Sequence, residues 1–186
     1  MKIINISFPL YILISSCFAG NSFIGYYVLN WASRNASSVV ENYLKKSAQR
    51  PASNAYAAYL LGTLYLEDNI LQKDLWKARY YLTLAANLGS PEAMNSLGDG
   101  FYSGDIFERN TNCALYYYLR AARCGFGPAQ FNAGIVLLQT AKNRRDLRRA
   151  VFYLDKASKN RDDLGDITKH AIKFLKDAQE KLNHFK

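Results

Sequence analysis

The sequence predicts an all-α chain: a stacked α/α solenoid of about three 36-residue helix-pair repeats, with a signal segment at one end and a capping helix at the other. Three observations carry that prediction. Gly62, Gly98 and Gly134 recur every 36 residues, and Ala57/Ala93/Ala129, Ala78/Ala114/Ala150, Tyr81/Tyr117/Tyr153 and Ala85/Ala121/Ala157 keep the same step. A fixed period of that size marks helical hairpins stacked in one direction. Within a period the apolar residues step by three and four, which gathers them on one side of a helix. Strand-like runs rich in Val, Ile and Thr are absent.

Taken in order, residues 1–16 read as an export signal. Met1-Lys2 gives a basic start, and Ile3 to Ile14 is apolar but for Asn5 and Ser7. Ile14-Ser15-Ser16-Cys17 follows and resembles the lipobox of bacterial lipoproteins, in which the cysteine becomes the acylated first residue. Cleavage after Cys17-Phe18-Ala19 is one alternative. An uncleaved anchor is another, because apolar character persists from Phe23 to Trp31. Residues 17–56 form an N-terminal helical segment. Gly25 to Ala48 spans 23 positions, as does Gly62 to Ala85, so Ile24-Gly25, Tyr43 and Ala48 read as a degenerate repeat with Glu41 where alanine is expected. A plain amphipathic helix is the alternative. Arg50-Pro51-Ala52-Ser53-Asn54 breaks the helices, since the residue before proline disfavours helix.

The repeats occupy 57–92, 93–128 and 129–161. In the first, Ala57 to about Glu67 is apolar nearly all round and expects neighbours on several sides. Asp74 to Leu88 places Ala78, Tyr81, Leu82, Ala85 and Ala86 on one stripe, with Gly89 as its stop. Asp74 and Asn110 stand where a short polar side chain caps free amides. Glycine within a helix costs about 1 kcal/mol against alanine, so three in register imply close helix crossings. The Tyr81 column is expected in the core, and Tyr80/Tyr116/Phe152 in inter-repeat packing or partly at the surface. Residues 162–186 supply the capping helix: Ile167, Ala171, Phe174, Leu175, Ala178 and Leu182 share one side, and the rest is polar.

These columns resemble the Sel-one-like repeat, a relative of the tetratricopeptide repeat. The first repeat supplies Ala57, Leu61, Gly62, Tyr65, Asp74, Ala78, Tyr81 in place of the family tryptophan, Ala85, Ala86, Gly89 and Ala93. The second supplies Leu97, Gly98, Phe101, Gly104, Asn110, Ala114, Tyr117, Ala121, Ala122, Gly125 and Ala129. The third is worn, keeping Ala133, Gly134, Asp146, Ala150, Tyr153 and Ala157, with Ser158 and Arg161 replacing alanine and glycine. The family's Gly-x-Gly loop is Asp68/Ile70, Gly104/Ile106 and Thr140/Lys142 here, so the linking loops are expected to differ. The resemblance implies a tetratricopeptide-like superhelix whose first helices line a concave face, with Tyr59, Thr63, Asn95, Asp99, Phe131 and Ile135 as its candidate binding residues. Some exported relatives staple each hairpin with a disulfide. Cys113 and Cys124 lie near opposite ends of one predicted helix, roughly 16 Å apart at 1.5 Å per residue, beyond bridging distance.

Enzymatic constellations are missing. His170 and His184 stand 14 apart without a cysteine or carboxylate cluster at metal spacing, and neither a nucleophile elbow nor a phosphate loop occurs. No catalytic residue, metal or cofactor is assigned. The net charge is +9, and Lys142, Arg144, Arg145, Arg148 and Arg149 form a basic patch within an expected loop, 142–149. Such a run attracts phosphates, anionic lipid or an acidic protein; no nucleic-acid motif accompanies it. The expected function is a non-enzymatic protein-interaction scaffold at the periplasmic face of a bacterial membrane, held by an N-terminal lipid or anchor. Its partner is another protein. The resemblance sharpens this to an immunity protein against an acidic secreted effector, since some small exported relatives neutralise toxic phospholipases delivered by type VI secretion. A structural or assembly adaptor of the envelope, contacting peptidoglycan or anionic lipid, is the alternative. Labelling with a fatty-acid analogue is expected to mark the chain, and Cys17→Ser to abolish the label; a label that survives this change rules out Cys17.

Overall fold

The computed structural model describes residues 37–48, 55–68, 70–160 and 166–184. They form helices and the connections between them, with no strand among the described residues. The chain divides into two compact units, Met1–Ser90 and Pro91–Lys186. In the first, α1 spans Ser37–Ala48, α2 Ala55–Leu66 and α3 Leu75–Asn87. In the second, α4 spans Pro91–Ser103, α5 Thr111–Arg123, α6 Gly127–Thr140, α7 Arg144–Ser158 and α8 Asp166–His184. The hairpins α2/α3, α4/α5 and α6/α7 are the predicted pairs. Cys17, the export signal and most of the degenerate-repeat reading of 20–56 lie outside the described residues.

The predicted caps explain two helix starts. Asp74 accepts from the Lys77 amide at 3.1 Å, and Asn110 from the amides of Asn112 and Cys113 at 3.1 and 3.0 Å. The loops before them close alike: the Asp74 amide donates to the Tyr65 carbonyl at 3.0 Å and the Asn110 amide to the Phe101 carbonyl at 2.8 Å. The C-terminal stops are Gly89 and Gly125, at φ of +97° and +86°. That left-handed turn lets Ser90 and Phe126 reach back to the carbonyls of Ala85 and Ala121.

The third pair departs from this scheme. Its second helix is capped by Asn143, whose side chain accepts from the Asp146 amide at 2.9 Å, three residues before Asp146, the position in register with Asp74 and Asn110. The expected loop 142–149 is therefore mostly helix, because Arg144 to Arg149 are already in α7. The connection shrinks to Ala141–Asn143, and one extra turn opens the helix.

The glycine column marks the crossings. A Cβ on Gly62 would come 2.6 Å from Leu82 Cγ, on Gly98 2.5 Å from Tyr118 Cε1, and on Gly134 2.6 Å from Leu154 Cγ. Leu82, Tyr118 and Leu154 are buried and themselves 36 residues apart. They hold the central place in each hairpin, next to Tyr81, Tyr117 and Tyr153, which the sequence placed in the core. The latter are only half-buried. One residue along a helix is a rotation of about 100°, which carries that column from the crossing to its rim. There Tyr81 stacks on Tyr65, centroids 5.9 Å apart, and Tyr117 on Phe101 at 5.7 Å. Beyond them Tyr80, Tyr116 and Phe152 are exposed. Isoleucine in the altered loop packs inward: Ile106 is buried over Gly100, where a Cβ would meet it at 2.8 Å. At the far end α8 lays Ala171 and Ala178 against the core, with Phe174, Leu175 and Leu182 alongside Leu137, Leu138, Leu147 and Leu154.

The crossing yields a test on Gly134. Alanine is the better helix former by about 1 kcal/mol, but its methyl would drive into the fully buried Leu154. Gly134→Ala is expected to lose about 1–3 kcal/mol in urea unfolding followed by circular dichroism. In a Leu154→Ala background the same change should be neutral or stabilising. Equal costs in both backgrounds would contradict a steric crossing.

Candidate functional site

The described surface has one polar network spanning successive repeats, in the second unit. Asn95 and Asp99 sit one turn apart on α4, and Asn132 comes from α6. The Asn95 amide donates to Asp99 Oδ2 at 2.9 Å, and the Asn132 amide to Asn95 Oδ1 at 3.1 Å and Asp99 Oδ1 at 3.3 Å. From beneath, the Tyr118 hydroxyl donates to Asp99 Oδ1 at 2.7 Å. A further rung, Tyr102 hydroxyl to Gln139 Oε1 at 2.8 Å, ties α4 to α6 two turns on.

Gly98 makes this possible. With no side chain there, the Tyr118 ring passes across α4 and delivers its hydroxyl to the next residue, Asp99. The other two pairs have leucine at the Tyr118 position, and Thr63 and Ile135 in place of Asp99. Thr63 turns its hydroxyl back to the Leu60 carbonyl, 2.9 Å away. At these two positions the hydroxyl–carboxylate pair thus belongs to the second repeat alone.

Asp99 keeps an exposed side, yet protein crowds its carboxylate. Burial pushes its pKa above the ordinary 3.8, the Tyr118 hydroxyl pulls it back, and nearby Asp105 adds a smaller upward push. Tyr118 is pushed up in turn, first by burial and then by the negative charge of Asp99. No lysine or arginine pairs with Asp99 among the described residues. The site is an acceptor held by neutral donors, with room on its open side for one more.

The other predicted residues are placed differently. Phe131 meets Phe174 of α8 edge to face at 5.9 Å, and with Ile135 packs against the core cluster that α8 closes. Tyr59 and Thr63 lie on α2 in the first unit, where Tyr59 is half-buried beside Tyr56, 6.0 Å between centroids. Lys142, Arg144, Arg145, Arg148 and Arg149 are all exposed. Asn132 and Tyr118 were missed. A tyrosine in an otherwise leucine column, beside an aspartate in an otherwise uncharged one, was the signal available. Cys113 and Cys124 are both free, and among the described residues no three His, Cys, Asp or Glu side chains gather as a metal site.

The first unit has a cleft of about 370 Å³ lined by Glu41, Tyr65, Leu71, Gln72, Lys73, Asp74 and Lys77. Its carboxylates are already engaged. Glu41 takes Lys45 at 2.5 Å and accepts from the Tyr65 hydroxyl, and Asp74 takes Lys77 at 3.2 Å. The lysine and tyrosine bonds hold Glu41 below its usual range.

The Sel1 repeat profile matches residues 55–90, 91–126 and 127–162, more than half of the chain. The chain belongs to the Sel1 repeat family. A solved Sel1 repeat protein from Oxalobacter formigenes superposes with a TM-score of 0.59 at 27% identity, covering 72% of this chain and 95% of that one. Among curated relatives, protein sel-1 homolog 2 of Rattus norvegicus is 25% identical over 152 residues, 78% of this chain, and its Mus musculus counterpart matches equally. The chain spans 22% of the length of these relatives. The all-α solenoid and its three repeats of about 36 residues are those of the family. Sel1 repeats form a non-catalytic fold that binds other proteins.

Tyr118→Phe tests the network, since it keeps the ring over Gly98 and removes the donor. A carboxyl group whose folded pKa is raised binds more protons folded than unfolded, so its contribution to stability falls as pH rises through that window. Losing the donor raises the Asp99 pKa further and deepens this fall. The variant is expected to lose about 1–2 kcal/mol at neutral pH, and less as pH drops toward 4, near the ordinary 3.8 of aspartate. A loss independent of pH in urea titrations would contradict the link to Asp99.

Proposed function

We propose that this Sel1 repeat chain is a non-enzymatic scaffold that binds one protein partner on the α4/α6 face, centred on Asn95, Asp99 and Asn132. The single observation behind this reading is the Asp99 network. Its open carboxylate side suits a donor from the partner, either a backbone amide or a lysine or arginine side chain. Helices hold the groups in place before contact, which limits the ordering entropy lost on docking. In the finer form of the proposal the chain is exported and lipid-anchored through Cys17 at the periplasmic face. There it serves as an immunity protein against a secreted effector. The net charge of +9 favours a partner acidic overall, with a donor placed opposite Asp99.

Capture from a periplasmic extract tests both levels. The parent is expected to retain one tight partner, and Asp99→Ala or Asn132→Ala to release it at least about tenfold faster, the cost expected for a central polar contact. Undiminished capture by both folded variants would move the site off this face. A partner that is not a secreted toxin would remove the immunity role and leave the scaffold reading intact.

A further inference from the structure

The arginines of α7 are arranged against local helix electrostatics. Arg144, Arg145, Arg148 and Arg149 fill four of its first six positions, where the macrodipole is positive and acidic residues are favoured. All four are exposed, and none forms an ion pair among the described residues. The carboxylate in that turn, Asp146, is occupied by the Lys142 backbone amide at 3.3 Å. Helix α5 differs, carrying Arg120 and Arg123 in its last turn, where the dipole welcomes them. Folding explains the cations of α5 and leaves those of α7 unexplained.

Large rings stand exposed among these cations. Phe152 is 51% exposed with Lys156 over its ring at 4.8 Å, and Tyr116 is 57% exposed with Arg120 over its ring at 5.7 Å. Both pairs occupy the same repeat positions, as do Arg123 and Lys159. The outward face of two successive second helices therefore carries an aromatic ring flanked by long basic chains. Rings at headgroup depth with cations reaching for phosphate is the composition of a surface that lies on an anionic bilayer.

We infer that the outer face of α5 and α7 docks on anionic phospholipid, with Phe152 and Tyr116 entering the headgroup layer and the four α7 arginines pairing with phosphate. Charge complementarity selects this occupant. The arginines are held by no neighbouring carboxylate, so they suit a fluid array of phosphates better than the fixed carboxylates of a protein. The apolar run from Ile3 to Ile14 points to the same surroundings from the sequence. The inference is independent of the α4/α6 reading, and either stands if the other fails.

Vesicle co-sedimentation of the full chain tests it, with phosphatidylcholine alone against phosphatidylcholine mixed with phosphatidylglycerol. The N-terminal segment, with its basic start at Lys2, is common to parent and variants, so the readout is the change in preference for the anionic mixture on substitution. That preference is expected to reach roughly a hundredfold for the parent, to weaken with salt, and to fall at least about tenfold in Arg144→Gln/Arg145→Gln/Arg148→Gln/Arg149→Gln. Phe152→Ser should weaken binding to the anionic vesicles by about tenfold with helix content unchanged. Equal binding of the parent to both vesicles would overturn the inference, as would a preference left undiminished in the four-glutamine variant. If the parent ignores phosphatidylglycerol but binds poly-glutamate through the same arginines, the face belongs to an acidic protein and membrane docking is overturned.

Discussion

Everything in the described hairpins depends on a side chain that is absent. At each crossing a glycine on the first helix admits Leu82, Tyr118 or Leu154 from the second, with gaps too small for even a methyl group. Helices that approach so closely align their alanine stripes, and Ala78, Ala85, Ala114, Ala121, Ala150 and Ala157 are buried as a result. The cost of glycine in a helix is met by burial of the side chain it receives, worth about 1.5–3 kcal/mol for leucine. The caps and left-handed stops then act locally, ending helices whose packing the crossings have already set.

The period was legible because it is repeated. Five columns of small or aromatic residues gave the hairpins, and Asp74 and Asn110 gave two helix starts correctly. The third pair was misread where its columns are worn. Asp146 is in register with the caps Asp74 and Asn110, but Asn143, three residues earlier, makes the cap and adds a turn. Position in a pattern did not decide between them; local hydrogen bonding did. The Tyr81 column was misplaced for a related reason. Aromatic recurrence says that a position packs, and both the crossing and its rim pack.

The site was legible in part. Asn95 and Asp99 were picked out by position, as residues of a first helix outside the repeat's columns, on the face that the family resemblance makes concave. Phe131 and Ile135 met the same positional rule but are taken up by Phe174 and the rest of the α8 contact, which only three-dimensional packing reveals. Asn132 depends on register between α4 and α6, a relation between helices rather than within one. Tyr118 was hidden by type, since its ring does a leucine's work at the crossing while its hydroxyl does something else.

A lattice of equivalent hairpins carries an ambiguity that a single compact fold does not. A ligand that read only the recurring elements would find the same surface again one period along, and its alignment would be degenerate. The Tyr118–Asp99 pair occurs once among positions otherwise filled by Leu82 and Thr63, and by Leu154 and Ile135. Chemically, that one pair is an index mark. It lets a translationally repetitive object be bound in one phase.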